Sequence, residues 1–476
     1  MNTQLQTTGT VHHSNILGGP SDAAAVVTGQ FPEWLVGDVV RTAPAVYARG
    51  GWAAQHWFDA LGMFYSFSIQ GPTRASFKQR INGGDYNRAA LAGHAPYASF
   101  GTPNQRGAVR RIFEPIPVST DNANVNIVSM GKELVAMTET SRQLAVSFGS
   151  LETRGHVAYD DDLPAGTAMT AHPLFDVDRN LVVNVGTIAG PTPQVVFYGH
   201  RPDERRRRIF GRVRLARLPY IHAFGLSPGK AVLIANPFDV SPRDLLWSNR
   251  FVDHYRWRPE QGTTLHVVDR WSGEVQAFTT DSMFVFHVIN TYDEARATII
   301  DVLAYPDARV LTGEMRTSAM SERLPDLRPI PTRLRLSHDD GRVTVVRLAS
   351  DGFEFPSISY RRHAGRPYRF AWGAANEPVG RGARSRIVKT DVSTGEQTHF
   401  EDPGYVFGEP LYVAPRDASR EDEGVLLSVG TDPATSRTKL VALRADRLDL
   451  AAEATVEVPV PLGYHGTFVR SAGGET

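Results

Sequence analysis

TAHPLFD (170–176), YIHAFGLSP (220–228), FVFHVINTYDE (284–294) and GYHGTFV (463–469) together decide how this chain must fold. Each is a short, strand-like block around one histidine: His172, His222, His287 and His465. The intervals between them are far too long for a zinc knuckle or for two ligands on one helical turn. Groups so dispersed meet only if the fold is closed and roughly circular, with each segment contributing one inward side chain. Such a centre points to a metal held by neutral imidazoles alone.

Working outward from these blocks, short apolar runs bounded by Gly, Pro, Asn and Asp recur along the chain. They include Leu181–Val185, Ala231–Ala235, Thr298–Leu303, Val343–Leu348, Val425–Val429, Leu440–Leu443 and Thr455–Val460. Their length and their Val, Ile and Thr content suit pleated, half-buried strands. Turn signals at Asp339-Asp340-Gly341, Ser393-Thr394-Gly395 and Ser272-Gly273 fall between runs, as hairpin connections should. Many short strands without α/β alternation mean a sandwich, barrel or propeller. Only radial repetition naturally brings four distant histidines to one axis, so an all-β propeller is expected. No WD-like or kelch-like repeat marks the blades, and no linker divides the chain. The irregular stretches 88–110 and 236–262 read as insertions on one face, a loop and helical cap over the axial site.

Composition narrows the function classes. The 476 residues balance 51 basic against 51 acidic side chains, so net charge gives no argument for a nucleic-acid partner. There is no cysteine, which excludes disulfides, thiolate metal sites and cysteine nucleophiles and fits a reducing, cytoplasmic compartment. The polar opening MNTQLQTTGTVHHSNILGG lacks the basic and apolar regions of a signal peptide. Residues 1–30 read as a flexible N-terminal arm and 31–476 as one catalytic domain. No run is long enough to cross a bilayer.

A metal-binding imidazole usually donates its second N–H to a carboxylate or carbonyl. Three glutamates stand in comparably distinctive blocks: Glu139 in AMTETSR, Glu354 in GFEFPSISY and Glu409 in GEPLYV. Ligand softness admits Fe, Zn, Cu or Ni at a four-imidazole site. With FPEWLVGDVVRTAP (31–44), HWFDALGM (56–63), TDNANVN (120–126) and EDEGVLLSV (421–429), the ordered blocks cover about residues 31 to 470. In that order they resemble the carotenoid cleavage oxygenases, the family of apocarotenoid oxygenases, β-carotene central-cleavage enzymes and the retinoid isomerohydrolase.

The resemblance implies a seven-bladed propeller with one Fe(II) on its axis, held by His172, His222, His287 and His465. It implies pairings Glu139–His222, Glu354–His287 and Glu409–His465, with His172 left without a carboxylate. It makes Val125 a branched side chain that partly occludes one open coordination position. RTAP and FDALG depart from the family's R-N-G-P and F-D-G-x-G, so loop geometry near Arg41 and Asp59 is expected to differ.

The reaction it implies is addition of O2 across one double bond of an apolar polyene, giving two carbonyl fragments. Phe58, Phe64, Phe286 and Tyr464, with Thr138, are candidate tunnel residues, since positioning a polyene falls to aromatic walls. Thr138 stands where the stilbene-cleaving subgroup carries a lysine, which favours a carotenoid or apocarotenoid over a stilbene. A retinoid isomerohydrolase-like activity and a non-catalytic carotenoid-binding role are the competing readings. In RDLLWSNRFVDHYRWRP (243–259), Leu245, Leu246 and Trp247, with Phe251, Tyr255 and Trp257, alternate with arginines. Apolar anchors with a basic rim suit a peripheral membrane patch.

Overall fold

Hairpin follows hairpin in chain order. The computed structural model describes residues 21–93, 99–103, 119–161, 163–164, 166–190, 192–245, 250–379 and 382–471. Asn126–Met130 opens a four-stranded sheet that runs out to Thr153–His156. Leu181–Ile188, Gln194–His200 and Arg208–Arg214 form the body of the next. Lys230–Ala235, Thr263–Asp269 and Val275–Thr280 follow, then Phe284–Glu294 out to Val343–Arg347, then Glu354–Ser357 out to Gln397–Glu401. Every pairing is antiparallel.

Burial changes from the inside of each sheet to its outside. Leu181–Ile188 and Ala297–Tyr305 are buried almost continuously, because neighbouring sheets cover both faces. Outer strands such as Arg208–Arg214 and Val275–Thr280 alternate and carry the polar side chains. Of the strand runs expected from sequence, Thr455–Val460 is misplaced: the strand is Leu450–Val456, and the Val458-Pro459 step falls beyond it. The expected hairpin glycines Gly273, Gly341 and Gly395 have φ of +75°, +71° and +79°, conformations that glycine takes without steric cost.

Contacts between sheets run in a closed circuit. Gly37–Val46 touches Asn126–Met130, and Asn126 Nδ2 donates to the Ala171 carbonyl of the following sheet at 2.7 Å. Arg208–Arg214 touches Thr263–Asp269, and Gly225–Leu226 touches Phe284–Glu294, which touches Glu354–Ser357. Gly382–Asp391 touches Val406–Phe407, which belongs to the same ten-stranded sheet as Gly37–Val46. A β-rich ring, the arrangement the scattered histidines demanded, is the outcome.

The closing sheet corrects the expected arm. Ser21–Gly29 is a strand that pairs with Leu450–Val456 and with Arg74–Ile81. Its Ala23-Ala24-Ala25 core has weak strand propensity, and its partners are remote in sequence, so pairing decides it. Residues 1–20 lie outside the described residues. The stretch 236–262 is more ordered than a loop cap: Phe238–Val240 pairs with Leu218–Pro219 and with Arg256–Trp257.

Candidate metal centre

The four histidines meet. One ring nitrogen from each of His172, His222, His287 and His465 falls within 4.8 Å of the others. His287 lies on Phe284–Glu294, while His172 and His222 shortly precede Leu174–Asp176 and Gly225–Leu226. His465 directly precedes Gly466–Arg470. Each ring therefore hangs at the axial end of a different sheet.

Three rings are oriented at Nδ1 by carboxylates. His222 Nδ1 is 2.5 Å from Glu139 Oε1, His287 Nδ1 is 2.5 Å from Glu354 Oε2, and His465 Nδ1 is 2.8 Å from Glu409 Oε1. An ionised carboxylate accepts only, so at His287 and His465 the proton sits on Nδ1 and the Nε2 lone pair is free. Among the described residues no carboxylate bonds the His172 ring. Nε2 of His287 and His465 are 3.2 Å apart, and Nε2 of His172 and His222 are 2.9 Å apart. In the first pair neither nitrogen has a proton to share, so the two lone pairs repel unless a cation lies between them. Ligands about 2.1 Å from a metal stand about 3.0 Å apart at a right angle and about 3.4 Å apart in a tetrahedron. The observed 2.9 and 3.2 Å fall in the range that two ligands of one metal span. The donor set and its geometry thus fit a divalent transition metal.

Electrostatics favours the neutral rings that a metal needs. Burial, reinforced by the neighbouring rings, holds His172 and His222 well below the ordinary imidazole value. Burial also lowers His465, against the pull of Glu409. The carboxylates are held in different ways. Burial pushes Glu139 up to about 8, opposed by the Tyr220 hydroxyl, which donates to its oxygens at 2.8 and 3.0 Å. For Glu409, burial would raise the carboxyl, but His465 and Arg41 outweigh it and leave it below the usual value. Arg41 is buried, with Nη1 3.4 Å from Glu409 Oε2 and 3.0 Å from the Glu409 carbonyl. Glu354 Oε2 also accepts the Phe355 N–H at 3.0 Å.

Amides set the frame between sheets. Asn236 Nδ2 donates to the carbonyls of Tyr220 (3.3 Å) and Val285 (3.0 Å), and its oxygen accepts the Val285 N–H. One side chain thus ties the His222 segment to the His287 strand. Val125 is buried, and its carbonyl accepts the His465 N–H at 3.1 Å.

An aromatic wall covers one side. Phe286 stands 3.9 Å from His222 by ring centroids, and Phe58 lies parallel to His222 at 6.3 Å. Tyr464 packs edge-on to Phe58 at 5.4 Å, and Phe100 and Tyr220 extend the wall. Phe355 lies 5.3 Å from His465 and 5.8 Å from His287. Its φ of +57° is a costly conformation for a bulky residue, and it turns the ring against His287 and His465 while its N–H holds Glu354.

Phe64 departs from the sequence reading. It is fully buried in a separate cluster with Val40, Ile127 and Leu134, between the closing sheet and its neighbour, and among the described residues no histidine ring stacks on it. On the strand Leu61–Gly71 it points to the face opposite Met63 and Tyr65, which pack in the cluster that contains Phe58. Thr138 is buried beside Glu139. The patch 243–259 is only partly as expected: Tyr255 is buried and Phe251 packs on the core, 5.2 Å apart in one aromatic cluster. Leu245 ends the short helix Pro242–Leu245, and Leu246 and Trp247 lie outside the described residues. Tyr220, Asn236, Phe100 and Phe355 were not singled out as site residues from sequence. Tyr220 was within reach, being two residues before His222 in an extended segment.

A second group, Asp85, Asp121 and His156, also brings ligand atoms together. Arg142 already fills that place, 2.6 Å from Asp85 and 3.6 Å from Asp121.

A family model described as retinal pigment epithelial membrane protein (RPE65) matches residues 19–470. The chain belongs to the RPE65, or carotenoid oxygenase, family. Within it, the chain is 28% identical to rat β,β-carotene 15,15'-dioxygenase, covering 94% of this chain and 89% of that one. It is 24% identical to the mitochondrial carotenoid-cleaving dioxygenase of Mustela putorius furo, covering 94% of each. A glutamate-to-glutamine mutant of Synechocystis apocarotenoid oxygenase superposes with a TM-score of 0.84 at 22% identity, over 97% of this chain and 98% of that one. The cobalt-substituted form of that oxygenase superposes at 0.83, with 21% identity and the same coverage. The carotenoid oxygenase fold is therefore shared throughout the chain.

Proposed function

We propose that this carotenoid oxygenase family member is a non-haem Fe(II) dioxygenase that cleaves one conjugated double bond of a carotenoid or apocarotenoid. The balance is one C=C and one O2 in, two carbonyl fragments out. A single observation carries this reading: four imidazole Nε2 atoms, three of them oriented by carboxylates, converge beneath an aromatic wall. His172, His222, His287 and His465 would hold the iron, and Glu139, Glu354 and Glu409 would fix three of the rings. The ring of sheets is read as one seven-bladed propeller. Iron held there would supply the O2 chemistry of the cleavage.

The chain's own residues supply the rest. Phe58, Phe286, Phe100 and Tyr464 offer ring faces to a polyene and exclude water from it. Val125 narrows the space beside His465. The names of relatives support the substrate class, since both the rat and the Mustela proteins are described as carotenoid dioxygenases. No helix among the described residues is long and apolar enough to cross a membrane, so contact with a lipid-dissolved substrate is proposed to be peripheral, through Leu245, Leu246 and Trp247.

The test is incubation of iron-loaded protein with a panel of carotenoids, apocarotenals, stilbenes and a retinyl ester under 18O2. Labelled aldehydes from a carotenoid or apocarotenal are expected. Turnover confined to the stilbene or the retinyl ester, or aldehydes without label, would overturn the reading.

A further inference from the structure

His56 is fully buried away from the candidate ligands, yet it is bonded at both ring nitrogens. Its Nε2 is 2.9 Å from the Leu311 carbonyl, and its Nδ1 accepts the Phe58 N–H at 3.2 Å. A carbonyl must receive a proton and an amide must give one, so the ring is neutral with its proton on Nε2. The segment around it is stitched to the same neighbour: Trp57 N–H to the Met315 carbonyl at 2.9 Å, Thr317 N–H to the Gln55 carbonyl at 3.2 Å. That neighbour, Val310–Glu314, is a π-helical turn, a rare element enriched at functional sites. On the far side of Phe58, buried Asp59 accepts Phe100 N–H (2.7 Å), Gly101 N–H (2.8 Å) and the Thr102 hydroxyl (2.7 Å). Phe58, clasped between them, lies parallel to the His222 ring.

We infer that His56 is a positioning residue: with Asp59 it clamps the Trp57–Asp59 turn to the 310–317 segment and the 100–102 loop, and so fixes how far Phe58 reaches over the metal centre. The inference rests on the proposed cleavage of a polyene. A chain of conjugated carbons has many near-equivalent double bonds, so the wall that stops its sliding decides which bond is presented. Phe58 is that wall only while the clasp holds. An error of about 1 Å at such a contact costs on the order of 100-fold in rate.

Two variants loosen the clasp differently. His56→Gln removes the two-nitrogen bridge. Gly101→Ala leaves His56 intact but adds a Cβ that would meet the His56 Cβ at 2.7 Å and its ring at 3.1 Å, at a position where no positive φ forbids alanine. Each is compared with wild type and Phe58→Leu for iron per chain, melting temperature, kcat and KM, and the set of aldehydes from one carotenoid. Both variants should keep one iron per chain, lose roughly 10- to 100-fold in kcat, and release aldehydes from neighbouring double bonds, the same extra products as Phe58→Leu. An unchanged product set in whichever clasp variants fold, or loss of iron in step with loss of activity, overturns the inference. Should neither fold, an unchanged product set from Phe58→Leu overturns it, and a shifted set upholds the wall that the clasp holds. Wild-type protein that cleaves nothing in the panel overturns the function itself, and that is read before any variant.

Discussion

Arg41→Met isolates the one carboxylate of the centre that is held by a full positive charge. Arg41 is 1% exposed, and its contacts include the Glu409 carboxylate at 3.4 Å and the carbonyls of Glu409 at 3.0 Å and Tyr464 at 2.6 Å. Methionine fills much of the volume but leaves a buried carboxylate without its cation and two carbonyls without donors. Breaking a buried pair from one side costs about 3–5 kcal/mol. Unfolding entropy of about 2.1 cal/mol/K per residue gives roughly 1 kcal/mol/K for 476 residues, so the melting temperature should fall by about 3–5 °C. The assay is thermal unfolding by near-UV circular dichroism of Arg41→Met, Glu409→Gln and the double variant, each metal-free. Because the penalty is an unpaired charge, the double variant should be no less stable than Arg41→Met alone. A shift below 1 °C, or a double variant whose loss equals the two single losses added, would refute the argument.

Other outcomes follow from the same geometry. His222→Ala should remain folded and lose its iron by elemental analysis, while Glu354→Gln should keep it with about 10- to 100-fold weaker affinity in a chelator competition. Burial pushes His56 from 6.5 down to about 3, with Arg316 lowering it further against the Leu311 carbonyl and Asp253. The folded state therefore binds fewer protons than the unfolded one: its stability is complete above pH 6.5 and declines as pH falls towards 3. The loss should total roughly 5 kcal/mol at about 1.36 kcal/mol per unit, and denaturant melts of His56→Phe should show a decline with falling pH smaller by that amount. In liposome flotation, Leu245/Leu246/Trp247→Ser should float less than wild type; equal flotation removes that stretch from the membrane argument.

What could be read from the residues was whatever the chemistry forces. Four histidines that can meet only at an axis imply a closed ring, and carboxylates at metal-binding imidazoles are a recurrent need. Phe58 and Phe286 were legible because each flanks a motif residue. Phe64 was misplaced by the same adjacency, since sequence proximity does not say which side of a strand faces the axis. The Arg41 pairing, the Asn236 tie and the His56 clasp join segments far apart in the chain through backbone carbonyls, which every residue has and no sequence marks. The strand Ser21–Gly29 was hidden for a related reason: its alanines become strand because Arg74–Ile81 pairs them, and Val26–Gly29 because Leu450–Val456, at the other end of the sequence, pairs those.

That strand makes the ring a belt with its buckle at the two ends of the chain. Val26 faces Thr455 and Ala25 faces Ala75, so no lid of hydrogen bonds covers that edge until Leu450–Val456 has been made. His465 arrives in the same late segment. On the ribosome, the fourth imidazole and the fastening of the belt become available together, so a cation that needs all four donors would register a closed ring and pass over an open one.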